Sequence, residues 1–205
     1  MNPAAVASLV AAHVDALAVD HPVRVVIDGP PWSGLRLAPL VEAELLAMSR
    51  PVLVVDVVDY LRPASLRLER GRDDPDAFYE DWVDLASLRR EVFDPTGPGG
   101  SLRVLPARWD AEADRATRAD YVEVTPTTVI VVAGWFLLGA GLDLELAVHV
   151  ALSAEAMRRR VSREAADREL PAYARYDAEV QPTEIADIVV RADDPRRPAV
   201  IDRTS

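Results

Sequence analysis

Val23-Arg-Val-Val-Ile-Asp28-Gly-Pro-Pro-Trp-Ser-Gly-Leu-Arg36 is the stretch on which the fold turns. Val23–Ile27 is short, β-branched and not alternating, the profile of a strand buried on both faces in a parallel sheet. Asp28-Gly29 ends the run, two prolines open a loop, and helical composition resumes from about Gly34 to Met48. A strand, a glycine-bounded loop and a helix make the front half of a βαβ unit.

The same alternation extends outward in both directions. Residues 3–19 have helical composition and spacing. Pro51–Val58 is a second buried strand, followed by a polar, irregular stretch from Arg62 to Asp76. Pro75–Glu91 predicts a helix, Pro95–Gly100 a loop, and Thr128–Val132 and Leu144–Leu152 two more strands. Ser153 is placed to N-cap an Arg-rich helix through about Glu169, and Ile185–Arg191 reads as the last strand. This is one α/β domain, 1–205, with a mostly parallel central sheet and helices between the strands. In such sheets ligands bind beyond the carboxyl ends of the strands, here Asp28-Gly29, Asp56–Asp59 and Ala133-Gly134-Trp135.

Composition narrows the function. A net charge of −11 opposes general binding to nucleic acid or an anionic membrane. No apolar run approaches the ~20 residues that cross a bilayer. The N-terminal Met-Asn-Pro-Ala-Ala has no basic lead-in of a secretory signal, so a cytoplasmic location is expected. Cys is absent, which removes disulfides and thiolate metal sites. All 23 basic residues are Arg. Chemistry that needs a lysine ammonium is closed to this chain acting alone.

That matters at the loop after the first strand, which stands where a phosphate-binding G-x-x-x-x-G-K-[ST] loop belongs. Gly29 and Gly34 keep the spacing, but Leu35 replaces the lysine and Arg36 the magnesium-binding hydroxyl. Leucine cannot donate to phosphate and arginine cannot coordinate a cation. Trp32 adds an indole where small residues let backbone N–H groups approach an anion.

Four further segments occur in order: Arg70-Gly-Arg-Asp-Asp-Pro-Asp-Ala-Phe78, Phe93-Asp-Pro-Thr-Gly-Pro-Gly-Gly100, Ile130-Val-Val-Ala-Gly-Trp-Phe-Leu-Leu138, and Arg175-Tyr-Asp-Ala-Glu-Val-Gln-Pro182 with Ala186-Asp-Ile-Val-Val190. With the loop, they resemble the bacterial uridine kinase-like branch of the P-loop nucleoside and nucleotide kinases, from about Val23 to Ile201. The resemblance implies a three-layer α/β/α P-loop kinase fold, a small helical lid around 158–176, self-association, and ATP-dependent phosphoryl transfer to a nucleoside-like hydroxyl. It also places Asp73 in the substrate turn, Arg159 and Arg163 as lid arginines on one helix face, and Tyr176 beside an acidic turn. Departures fall elsewhere. Alignment on Arg62-Pro63 puts Val58 at the base position, Ala133 replaces a usual acid, and Trp109-Asp110-Ala111 lacks the family's histidine.

Each candidate has a plainer reading beside it. Asp56 and Asp59 are general bases if the chain turns at Val58, and solvated or capping carboxylates otherwise. Arg36 is a substitute cation at a helix N-terminus or a solvent-facing helix residue. Trp109 and Trp135 line a planar-ligand pocket or pack in the core, whereas Trp32 on its glycine-flanked loop has little core to join. Arg159 and Arg163 clamp phosphate or form a solvated face. His13, His21 and His149 have no metal-ligand spacing and are taken as structural.

The expectation is a uridine kinase-like fold with a degraded phosphate loop, no resident metal or cofactor, and a cleft for a nucleoside-like or other planar small molecule. Loss of several electrostatic contacts, each worth about 2–4 kcal/mol in a transition state, weighs against ordinary transfer. The alternatives are a working kinase that takes ATP and Mg with Arg and Asp replacements, and a non-catalytic interaction protein.

Overall fold

The computed structural model describes residues 1–204. Six strands form the central sheet: β1 (Val23–Asp28), β2 (Val52–Asp56), β3 (Val129–Gly134), β4 (Leu146–Ala151), β5 (Ile188–Arg191) and β6 (Ala199–Asp202). Their spatial order is β6-β5-β4-β1-β3-β2, and every pairing is parallel except β6 with β5. All of β1 is buried, as its β-branched apolar residues require of a central strand. Of its two charged residues, Arg24 is neutralised by Glu145 through bonds of 3.0 and 2.6 Å, and Asp28 ends the strand. The antiparallel edge strand β6 was not foreseen, because four residues after an Arg-Arg-Pro turn carry too little pattern.

Helix α1 (Pro3–Ala16) begins where Asn2 accepts a hydrogen bond from the Ala5 backbone (2.8 Å) and Pro3 takes a position that needs no donor. It packs against α2 (Leu37–Ala47). Helix α3 (Pro75–Glu80), capped by Asp74 through Ala77 N (2.7 Å), packs against α5 (Ala166–Glu179). Between β4 and α5 lies α4 (Ala154–Arg160), and α6 (Pro182–Ile185) leads into β5. Right-handed crossovers fix the layers. The β1–α2–β2 and β4–α5–β5 units run in opposite directions along the sheet, so α2 and α5 cover opposite faces. The chain divides at β1 and β4, and crevices open at their carboxyl ends.

Two predicted helices stop early. The one expected over Pro75–Glu91 breaks at Asp81–Asp84, because Asp84 offers a second N-cap to Ser87 N (3.0 Å). Backbone bonds from Arg62 N to Trp82 O and from Asp84 N to Tyr60 O, both 2.8 Å, tie that break to the segment that follows β2. The Arg-rich helix expected through Glu169 ends at Arg160, where Val161 turns extended. Arg159 and Arg163 therefore do not share a helix face. Among the described residues no helix is long and apolar enough to cross a membrane.

Candidate functional site

The strand ends build a cleft of about 500 Å³ between β1, β2, β3 and the start of α2. Gly29 forms its floor with φ of +150°, and its N–H donates to Gly134 O (2.8 Å). A Cβ at Gly29 would lie 2.7 Å from the Val150 carbonyl oxygen, so only glycine permits this approach to β4. Leu35 points inward and is 7% exposed, as part of the core. Arg36 occupies the N-cap position of α2, lines the cleft, is exposed, and has no hydrogen bond or ion pair among the described residues. Gly34 takes φ of +79° and packs towards Pro195.

Trp32 behaves differently from expectation. Its indole leaves the phosphate loop for α5, donating to Glu169 Oε2 (2.5 Å) and meeting the Tyr173 ring edge-on at 5.7 Å. It does have a core to join, an aromatic group that includes Phe78, Phe136, Tyr173 and Tyr176. Trp135, at the end of β3, stacks on Phe78 at 6.0 Å and 21°. It also lines the cleft, with a buried indole N–H that has no partner.

The chain does turn after Asp56, through a 3-10 turn at Val57–Tyr60. Asp56 lines the cleft and is exposed, and one of its oxygens accepts from Val58 N (2.9 Å). Asp59 sits in the turn, its carbonyl accepting from Arg108 N (2.9 Å), which anchors the small ribbon carrying Trp109 and Asp110. Burial first, then the negative charges of Asp56 and Asp110, raise the Asp59 carboxyl above its ordinary value of 3.8. Asp59 thus feels both Asp56 and Asp110, although Asp110 also caps the turn at Glu112 and Ala113. Trp109 is half-buried and donates to Asp114 (3.3 Å).

Other candidates lie apart. Asp73 is exposed ahead of α3, and the capping acid there is Asp74. Arg159 pairs with Glu155 one turn back on the surface, and Arg163 is exposed between α4 and α5. The arginine that reaches the phosphate loop is Arg160, which donates to Ser33 O and to Asp193 O (2.8 Å). Nothing in the spacing singled it out from its two neighbours, since the choice depends on where the helix ends.

No family model matches the sequence, and no curated protein does. Among solved structures, a possible uridine kinase from Bacillus stearothermophilus superposes with a TM-score of 0.74 at 18% identity, over 89% of this chain and 96% of that one. The fold is that of the uridine kinase-like P-loop kinases. A protein described as a fructose transport system kinase from Silicibacter sp. TM1040 gives 0.63 at 20% identity, over 87% and 95%. Phosphoribulokinase from Rhodobacter spheroides gives 0.54 at 14%, over 83% and 70%.

In this P-loop kinase fold the strand bearing the loop ends in Asp28, which is fully buried. It accepts from Leu137 N (2.8 Å) and the Tyr176 hydroxyl (3.1 Å), and is joined to His149 Nδ1 at 2.7 Å. Tyr176 is therefore buried behind the strand ends, not set in the cleft, and burial followed by the Asp28 charge pushes its hydroxyl far above the usual range. His149 stands directly opposite Asp28 in the β1–β4 register. No sequence signal joins two residues 121 positions apart. A histidine inside a buried strand run was the one available clue.

Proposed function

We propose that this chain is a uridine kinase-like protein whose phosphate loop no longer supports ordinary transfer from a magnesium nucleotide. Its cleft holds a small planar ligand, nucleoside-like in size, beside Trp135 and Asp56. The observation that carries this reading is Leu35, buried in the core at the position where the loop would need a lysine reaching phosphate. The rest of the donor set agrees. Arg36 offers no lone pair to magnesium, both Asp28 oxygens are occupied within the protein, and Asp56 commits one oxygen to Val58. Arg160 closes the loop from the lid side by bonding Ser33 O.

One observation favours a second reading, an active small-molecule kinase. Arg36 is unpaired at the amino end of α2 and shares the cleft with Asp56, so a cation and a carboxylate do face one space. Isothermal titration separates the two. The first predicts no metal-dependent ATP binding in the micromolar range, together with a thermal shift from at least one nucleoside. Tight, magnesium-dependent ATP binding abolished by Arg36→Ala supports the second and overturns the first.

A further inference from the structure

A separate cavity, of about 320 Å³, opens at the carboxyl end of β4, between that strand, α5 and α6. It shares only Pro30 and Val150 with the phosphate-loop cleft. The volume lies within the range of small-molecule sites. Its deep wall is apolar, from Val150, Leu152 and Met157. One polar atom opens to that interior. Tyr173 also lines the wall, but its hydroxyl is buried away from the open space. His149 is buried with Nδ1 taken by Asp28, which leaves Nε2 as the ring nitrogen available to the cavity.

At the rim stand Asp177, one helical turn beyond Tyr173 on α5, and Glu184 of α6. No arginine lines the cavity, although the chain has 23. Desolvation raises the Asp177 carboxyl above its ordinary value. An apolar pocket with an imidazole acceptor near a rim carboxylate is complementary to a cation on an apolar stem.

We propose that this cavity binds a small protonated amine with an apolar body, its ammonium held by Asp177 and His149 Nε2. The body lies against Met157 and Leu152. Asp28 acts at one remove, as a positioning residue that fixes which imidazole nitrogen accepts. The site is independent of whatever occupies the phosphate-loop cleft.

Benzylamine is a suitable probe, with benzyl alcohol as its neutral counterpart, followed through the His149 ring signals by NMR after assignment with His13→Gln and His21→Gln. Benzylamine should shift the His149 signal saturably, with benzyl alcohol at least about tenfold weaker, as befits loss of a charged hydrogen bond. Asp177→Asn should weaken benzylamine by about five- to tenfold while leaving far-UV circular dichroism intact. Arg36→Ala should leave its affinity unchanged. The proposal is overturned by the absence of a saturable shift up to the solubility limit, by equal binding of the alcohol, by indifference to Asp177→Asn, or by a parallel loss in Arg36→Ala.

Discussion

Asp28→Ala removes the acceptor on which three elements converge at the end of β1. The carboxylate takes hydrogen from Leu137 N after β3 and from Tyr176 on α5, and it holds His149 on β4. Each of these groups is buried, so each loses a partner that bulk water does not fully replace, at about 1–2 kcal/mol per group. The sum is about 3–6 kcal/mol. Water entering from the neighbouring cavity beside His149 lowers it to about 3–4. For a domain of this size that corresponds to roughly 10 °C in Tm. Urea unfolding monitored by circular dichroism measures it, as a lower midpoint at unchanged slope. Asp28→Asn keeps an acceptor for Leu137 N and should lose about half as much. A change below about 1 kcal/mol for Asp28→Ala would refute the reasoning, because it would mean that the three contacts leave no buried group unsatisfied.

Two further variants test other junctions. A Cβ at Gly134 would lie 2.2 Å from Val57 Cγ1, so Gly134→Ala should destabilise by about 1–3 kcal/mol, and Val57→Ala should couple with it favourably. Simple additivity of the pair would show that the strand end relaxes by another route. The Asp59 carboxyl is raised in the folded chain, so between the unfolded value and the folded one the native state binds more protons than the unfolded state. Stability therefore falls as pH rises through the folded value. Asp59→Asn removes that loss, and its stabilisation measured by urea should be larger at neutral than at acid pH. A gain of equal size at both would assign the effect to packing.

The strands were legible because burial on both faces writes itself into short β-branched runs. Val23–Asp28, Val52–Asp56 and Val129–Gly134 fall within or one to two residues from the stretches predicted. The glycine-spaced loop and its unusual Leu35 and Arg36 were equally visible. Helix ends were harder where a competing cap decides, as at Asp84, or where the chain simply turns extended, as at Val161. The cleft acids were found by their place at strand ends, but whether Asp56 and Asp59 meet depended on the turn at Val57–Tyr60.

Local chemistry thus sufficed for the succession of the five parallel strands and for the absence of lysine from the loop after the first of them. Those are properties of neighbouring residues or of the whole composition. Packing alone decided that Trp32 leans on α5, that Arg160 and not Arg159 reaches the loop, and that Asp28 and His149 stand side by side. Each of these joins residues more than 100 positions apart. Their pairing follows from strand register and helix placement, which arise only when the entire sheet assembles.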